Sequence, residues 1–299
     1  MSVSKQPAKT PSSDSKSARH RQKSDLFQQV LRLPIVIWQS LFFIAPLFFL
    51  VAMSFFIVRN YRMTEAFEMK NWLKMMSRDY FWDSYGLTIG LATLATLVVM
   101  TVAFPAAYAL AFRVSENTRR WAIFLLIIPF FTSYLVRIFS WYVILAESGV
   151  INAMLGYIGL GPYIMLNTKF GTIVGYMTLT LPLVIILQTF SLANIDRRLV
   201  EAAYNLGCRP WRTIIRVLPL AKTGFIIAAV FCFILSFGDF VSPYYLGGSK
   251  PPTLPILIVD TVKSGQQWPR AAVVAVVMMV TLFIVAFGGI AAAYRRRNA

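Results

Sequence analysis

The sequence is poor in the residues that build disulfides, metal sites and charged, water-exposed surfaces. Two cysteines, Cys208 and Cys232, and one histidine, His20, exclude a disulfide framework and a His/Cys metal cluster. Charged residues make up only 14% of the 299 residues, against about 25% in an ordinary soluble domain. A glycine-rich phosphate-binding loop, an HExxH motif and a nucleophile elbow are also missing from the sequence. These absences argue against a metalloenzyme, a nucleotide-hydrolysing subunit and a serine hydrolase.

What the chain has in excess is apolar side chains. Hydrophobic residues make up 58% of it, and its mean hydropathy is +0.64. A soluble domain of this size cannot bury so many apolar side chains, because its interior is limited by surface-to-volume scaling. Lipid is therefore the solvent for much of the chain, and the composition predicts an integral membrane protein.

Six apolar segments each approach the roughly 20 residues that a helix needs to cross the hydrocarbon core. No alternating ten-residue pattern occurs, so helices rather than a β-barrel satisfy the backbone. We therefore predict an all-α membrane protein with six transmembrane helices. The predicted spans lie near 34–58, 86–113, 121–145, 171–194, 222–246 and 270–294.

The chain divides into segments of different character along these spans. A basic tail precedes the first helix, and a five-helix core contains one long connection rich in arginine. The tail attracts anionic lipid or binds a specific partner. The predicted divisions are the tail 1–33, the first transmembrane helix 34–58, an external loop 59–85, the core 86–294 with its cytoplasmic connection 195–222, and a basic C-terminus 295–299.

The excess of basic residues predicts how the chain is oriented. Lys and Arg number 29 against 12 Asp and Glu, a balance that in a soluble protein indicates nucleic acid. Here the basic residues lie mostly between apolar runs, so we expect membrane lipid and not nucleic acid as their partner. One side of the predicted topology has 19 of them and the other has 9. The positive-inside rule then places both termini in the cytoplasm.

The connection 195–222 contains Glu201-Ala202-Ala203, three further residues and then Gly207. Residues 197–206 can form a short helix whose small and apolar side chains share one face. Gly207 permits a positive-φ turn that ends this helix, and Pro210 suits the start of a second one. The segment is therefore either a rigid projection that contacts another protein or an amphipathic connection on the lipid surface.

The permease subunits of binding-protein-dependent, ATP-driven importers contain a Glu-Ala-Ala-x3-Gly segment before the last two spans. In having this segment, the chain resembles these proteins, the type I ABC importer permeases. One further segment resembles the family in general and two resemble its polyamine (spermidine/putrescine) branch, and the resemblance covers about residues 34–295. One departure is that the spacing before Pro219 is one residue shorter than the family pattern. The family-level segment is Pro105–Ala111, and the branch-level segments are Pro129–Thr132 with Arg137, and Gly238–Phe240 with Leu246–Gly248.

The resemblance implies a function, partners and a set of coupling residues. The connection would be the coupling helix that seats in an ATPase subunit. The other partners would be a second permease subunit, a second ATPase subunit and an extracytoplasmic solute-binding protein, all at the bacterial cytoplasmic membrane. ATP and Mg would bind the ATPase subunits, so this chain would be no enzyme and would hold no cofactor. The implied coupling residues are Glu201, Ala202, Ala203, Gly207, Pro210 and Arg212.

The resemblance narrows the range of possible solutes but leaves alternatives. It implies a small cation, a polyamine such as spermidine or putrescine. Related branches carry opines, amino-acid derivatives, iron or anions on the same scaffold, and fold does not fix substrate. An ion-coupled secondary transporter would show inverted repeats and broken helices, and neither is evident in the sequence. An intramembrane enzyme would need a nucleophile–base or metal constellation, which the sequence does not offer.

Two charged residues lie inside predicted spans, where an isolated charge costs several kcal/mol. Arg137 and Asp239 lie at the same predicted depth, about 25 Å from the cytoplasmic end. They could form a structural ion pair, or Asp239 could meet a cationic solute on a water-filled path. A separate face of small residues on the fourth span, with Gly171 and Gly175, predicts close helix packing. The candidate pathway residues are Tyr134, Arg137, Trp141, Ser236 and Asp239.

Overall fold

A computed structural model describes residues 34–59, 62–196 and 218–294, with positions 198, 199, 201, 205 and 207 between the last two ranges. The regular structure of these residues is helical apart from one short antiparallel hairpin. Its strands are β1 (Ile57–Arg59) and β2 (Arg62–Thr64), with Val58 opposite Met63. The helices are α1 (Pro34–Met53), α2 (Lys70–Met76), α3 (Asp79–Arg113), α4 (Glu116–Phe131), α5 (Tyr134–Leu145), α6 (Val150–Tyr157), α7 (Lys169–Ala193), α8 (Lys222–Gly238), α9 (Val241–Tyr245), α10 (Leu254–Lys263) and α11 (Trp268–Tyr294).

The structure confirms the predicted all-α class and the six membrane-spanning helices. Among the described residues, six helical segments are long and apolar enough to cross a bilayer. The helix α1 belongs to one compact unit, and the residues from Ser54 onward form another. The six segments are Pro34–Met53, Asp79–Arg113, Tyr134–Tyr157, Lys169–Ala193, Pro219–Gly238 and Trp268–Tyr294.

The observed helices differ from the predicted bounds in three places. The hairpin begins at Ile57, inside the predicted first span, and the segment 59–85 contains the rest of it, α2 and the first turns of α3. The predicted span 121–145 is two helices, because the chain leaves helical geometry at Thr132 and Ser133. The predicted span 222–246 ends at Gly238, where Asp239 is extended with φ −74° and ψ 123°. The expectation of unbroken spans is therefore wrong, since apolar composition shows where lipid is tolerated and does not show where the backbone turns.

The core of the second unit is built where α3, α7 and α8 pack against one another. Small side chains let these helices approach closely. In a membrane, helices associate mainly through such close packing, because lipid tails are as apolar as the side chains and the hydrophobic effect contributes little. Ala92, Ala95 and Ala103 of α3 are fully buried, and so is Ala228 of α8.

The small face predicted on the fourth span is confirmed at two glycines of α7. A Cβ at Gly171 would lie 2.6 Å from the carbonyl oxygen of Leu246. A Cβ at Gly175 would overlap the side chain of Ser242. The start of α7 therefore fits against α9 and the loop after it only because these two positions have no side chain.

We expect Gly171→Ala to lower the thermal stability of the detergent-solubilised protein. The backbone around Leu246 must move to admit the methyl group, and overpacking of this kind costs about 1–3 kcal/mol. The matched control is Gly90→Ala on α3, where an added Cβ meets nothing within 4 Å. Because alanine favours helices more than glycine does, the control should keep or raise the midpoint of thermal aggregation. Equal midpoints for the two variants would contradict the packing described for Gly171.

Candidate functional site

The first candidate site lies at the break between α8 and α9, where Asp239 is 7% exposed. Its Oδ1 accepts a hydrogen bond from the backbone N–H of Val241 at 2.8 Å. Its Oδ2 accepts one from the backbone N–H of Ser242 at 3.3 Å. These are the N–H groups that open α9 and that no helical carbonyl can reach. The carboxylate therefore holds the first turn of α9 in place, as an acidic cap does.

Two hydroxyl groups complete the surroundings of this carboxylate. The Tyr134 hydroxyl donates to Asp239 Oδ2 at 2.6 Å, and the Ser242 hydroxyl donates to the same oxygen. Tyr134 is the first residue of α5, directly after the break at Ser133. The two helix breaks thus meet at one carboxylate with four donors, and hydrogen bonds to a charged acceptor are about twice as strong as neutral ones.

Arg137 lies one turn further along α5 and is held by α7. Its Nη1 donates to the backbone oxygen of Thr178 at 3.2 Å. That oxygen lacks the usual helical donor, because the residue four positions on is Pro182, which has no N–H. The Cζ of Arg137 also lies 5.5 Å from the centre of the Tyr134 ring, within cation–π distance.

The ion pair considered for Arg137 and Asp239 does not form. Within the described ranges, the side-chain ion pairs join Glu116 to Arg119 and to Arg120. Tyr134 contacts both charges, with its ring toward the guanidinium and its hydroxyl on the carboxylate. The depth argument took Asp239 as part of a continuous helix. The helix ends instead at Gly238, and Asp239 lies in extended backbone, where its carboxylate accepts the N–H groups that open α9.

The other candidate pathway residues have different surroundings. Trp141 is partly buried in an apolar cluster with Ile138 and Leu246. Ser236 is fully buried, and its hydroxyl has no hydrogen-bond partner in the described part of the chain. The structure therefore brings Tyr134, Arg137 and Asp239 together and places Trp141 in the packing beside them.

Two residues of this site were not predicted from the sequence, although a sequence pattern indicates each of them. Ser242 stands three positions after Asp239, the spacing at which an acidic cap and a hydroxyl meet the same helix start. Thr178 stands four positions before Pro182, so its carbonyl has no donor within the helix and needs one from elsewhere.

The second candidate site is the segment that contains Glu201 and Gly207. Asp196 opens a short helix here, since its Oδ1 accepts the N–H of Arg198 at 2.9 Å and its carbonyl accepts that of Leu199 at 3.0 Å. Glu201 is helical and exposed. Gly207 lies in a turn with φ +75°. The positive-φ turn predicted at Gly207 is confirmed.

Several predicted residues of this segment lie outside the described ones. They are Ala202, Ala203, Pro210 and Arg212, together with the tail 1–33 and the C-terminus 295–299. Leu199, which the sequence places on the small and apolar face of the short helix, is 53% exposed.

Comparison with known proteins identifies the family and the fold. The permease PotB of the spermidine/putrescine transport system of Haemophilus influenzae is 28% identical over 273 residues, which cover 87% of this chain and 92% of that protein. The permease ModB of a molybdenum transport system of Azotobacter vinelandii is 30% identical over 207 residues, 67% of this chain and 89% of that protein.

The fold is shared with a bacterial ABC transporter that imports the acidic polysaccharide alginate. Its crystal structure matches with a TM-score of 0.73 at 17% identity, over 94% of this chain and 100% of that chain. The family model described as "binding-protein-dependent transport system inner membrane component" matches residues 100–299, which include both candidate sites. The chain therefore belongs to the family of inner membrane components of binding-protein-dependent transport systems.

Proposed function

We propose that this chain is the permease subunit of an ATP-driven importer for a small cationic solute, a polyamine such as spermidine or putrescine. The observation that carries the proposal is the extent of similarity to polyamine permeases. The relatives from H. influenzae and Escherichia coli K12, both named spermidine/putrescine permease PotB, match 87% and 83% of this chain. A match of this length extends far beyond the segment around Gly207.

The proposed orientation places both termini and the segment 195–222 in the cytoplasm. The support is the excess of Lys and Arg on that side, 19 against 9. Helix α7 is 25 residues long, or about 37 Å at 1.5 Å per residue. Its start at Lys169 and its end at Ala193 therefore lie on opposite faces of the membrane.

The proposed partners are a second, related permease chain, two ATPase subunits and an extracytoplasmic binding protein. ATP and Mg bind the ATPase subunits, which engage the segment from Glu201 to Arg212. When the ATPases close, this segment moves with them and the bundle switches from inward-facing to outward-facing. The exposed, helical Glu201 and the positive-φ turn at Gly207 support this role.

Uptake by the assembled complex in proteoliposomes tests the proposal. We expect labelled spermidine and putrescine to enter only when ATP and the binding protein are both supplied. Molybdate serves as the competing solute, because the A. vinelandii relative is named for molybdenum transport. Uptake of molybdate without uptake of either polyamine would contradict the proposal that the solute is a cation. Uptake driven by an ion gradient without ATP would indicate a secondary transporter.

The orientation makes a separate prediction for cysteine labelling in intact cells. In a background without Cys208 and Cys232, we expect Lys74→Cys to react with a membrane-impermeant maleimide. Glu201→Cys should react only after the cells are permeabilised. Both side chains are exposed in the structure, so a difference between them reports the side of the membrane. Labelling of Glu201→Cys in intact cells would reverse the topology.

A further inference from the structure

One connection at the end of the bundle where α7 begins has no charged residue. It is the α6 segment, residues 148–168, which follows Glu147 and precedes Lys169. A segment of this length in water would include several charged residues, since about 25% of the residues in soluble domains are charged. The two other connections at this end, 59–85 and 247–269, both contain lysines and acidic residues. The composition of the α6 segment is therefore not that of a loop in water.

The polar side of α6 faces the protein. Asn152 is buried, and its Nδ2 donates to the carbonyl oxygens of Ala146 at 3.2 Å and of Tyr163 at 3.0 Å. Its Oδ1 accepts the N–H of Tyr163 at 2.9 Å. This amide side chain therefore ties α6 to the end of α5 and to the chain that returns toward α7.

The opposite side of α6 is apolar and exposed. Met154 is 67% exposed, and Tyr157 is 92% exposed. The chain that returns from the helix adds the exposed side chains of Ile158 and Ile164. A helix on a water-covered surface has the reverse arrangement, with its polar side chains outward and its apolar ones toward the core. The outward side chains, spaced by three and four residues along α6, are Val150, Ala153, Met154 and Tyr157.

The base of the α6 segment lies where a spanning helix reaches the membrane surface. Helix α5 ends at Leu145, and Glu147 is the first charged residue after it. Ile151 of α6 packs against an apolar cluster that includes Leu145. Helix α6 has 8 residues, which is about 12 Å at 1.5 Å per residue. Its outward face therefore stays close to the level at which α5 leaves the membrane.

Two features favour lipid over a protein partner as the neighbour of this face. A protein interface surrounds its apolar centre with a polar rim, whereas the outward face of α6 is flanked by Gly156, Ile158 and Gly159. Tyr157 and Tyr163 are both exposed. Their rings have a polar tip, and such side chains are enriched at the level of lipid headgroups.

We propose that the α6 segment inserts the outward face of α6 into the lipid, at the boundary between headgroups and acyl chains. Amphipathic helices in this position bury their apolar face about 5–10 Å deep. Because the segment has no charge, it needs no particular headgroup. Insertion fixes the end of α5 and the chain before α7 at the membrane surface, since both bond to Asn152. The outer leaflet follows from the proposed orientation, whereas the insertion itself does not rest on the proposed function.

The test measures which solvent surrounds single nitroxide labels on the α6 segment. The full chain, with the subunits that co-purify with it, is placed in nanodiscs. The labels are attached at Met154→Cys and Ile158→Cys in a background without Cys208 and Cys232. Electron paramagnetic resonance gives the collision rates of each label with molecular oxygen and with a polar nickel chelate. We expect the ratio of oxygen to nickel collisions to be about tenfold higher than at Lys74→Cys, because oxygen dissolves preferentially in lipid and the chelate is excluded from it.

Two references set the scale of these ratios. Lys74 is an exposed, charged residue of α2 and is the water reference. Spin-labelled phosphatidylcholine in the same nanodiscs is the lipid reference. The ratios at Met154→Cys and Ile158→Cys should be the same with and without phosphatidylglycerol, since no charge of the α6 segment takes part.

Three results would overturn the inference. A ratio equal to that at Lys74→Cys would show that α6 faces water. Slow collisions with both reagents would show that another subunit or a second copy of the chain covers α6. A high ratio found only with phosphatidylglycerol would make the contact electrostatic, contrary to the insertion of an uncharged segment. None of these results bears on the proposed function, which fails instead if ATP and the binding protein do not drive uptake.

Discussion

Gly207→Val is expected to reduce binding-protein-stimulated ATPase activity and solute uptake at least tenfold. Position 207 has φ +75°, a region that β-branched residues almost never adopt. A Cβ there would meet nothing within 4 Å, so the cost is conformational and not a clash. A left-handed residue costs about 1–2 kcal/mol even without β-branching. The turn must open, and the short helix from Asp196 then no longer ends at the position that the ATPase surface requires.

The control for this variant uses the same position. Gly207→Asn adds a side chain of similar size, but asparagine tolerates positive φ far better than valine does. We expect the asparagine variant to keep most of the activity, and both variants to insert normally into the membrane. Glu201→Lys should also reduce association with the ATPase, because it reverses the charge of an exposed acidic side chain in a basic loop. Wild-type activity in Gly207→Val would remove the basis for a coupling role of this turn.

Asp239→Asn is expected to lower both the yield of the complex and its thermal stability. The amide offers hydrogens to a site where Tyr134, Ser242 and two backbone N–H groups already donate. Each lost hydrogen bond to a charged acceptor costs about 1.5–3 kcal/mol, and the amide, which has one acceptor oxygen and no charge, loses at least one of the four bonds and weakens the others. Tyr134→Phe, which keeps the ring beside Arg137, should cost less, about 1.5–3 kcal/mol for one hydrogen bond to a charged group. The matched control is Asp260→Asn at an exposed aspartate of α10.

A double variant distinguishes the observed hydrogen-bond arrangement from an ion pair between Arg137 and Asp239. If Arg137 and Asp239 were partners, Arg137→Gln with Asp239→Asn would restore the yield that each single change lowers. Because Arg137 is held by the carbonyl of Thr178, we expect the double variant to be at least as unstable as Asp239→Asn alone. The measurements are complex yield and uptake for both single variants and the double. Restored yield in the double variant would contradict the arrangement described here.

The same measurements test the pathway prediction for Tyr134, Arg137, Trp141, Ser236 and Asp239, which stays a prediction. A carboxylate that contacts the solute would allow Asp239→Asn to assemble normally and to lose uptake alone. The four donors around Asp239 favour a structural role. Trp141 packs with Ile138, which also favours a structural role.

The number of spans could be predicted from sequence because it depends on apolar length alone. The turn at Gly207 could be predicted because the residue type and its place after a helical pattern point to one backbone conformation. The breaks at Ser133 and Asp239 could not. Both lie in runs that lipid tolerates, and what stabilises them are contacts such as Tyr134 with Asp239, 105 residues apart in the chain.

The Asp239 site also shows the limit of arguments from depth. Two charges at matching predicted depth suggested an ion pair, but the helix break at Asp239 places its carboxylate on the start of α9 and on the Tyr134 hydroxyl. Local chemistry was the better guide. Pro182 leaves the carbonyl of Thr178 without a helical donor, and that single fact predicts a donor such as Arg137 nearby.

The connection between α8 and α9 has a mechanical consequence. Pro243 has no N–H, so the carbonyl of Asp239 cannot accept the usual helical bond across the break. The break is therefore held in part by side-chain hydroxyl groups, those of Tyr134 and Ser242, which bond to the Asp239 carboxylate beside two backbone N–H groups. Single-atom substitutions such as Tyr134→Phe and Ser242→Ala can tune how easily the two half-helices bend while the apolar surface that lipid contacts stays the same. A transporter built in this way can change its rate of switching without changing how it inserts in the membrane.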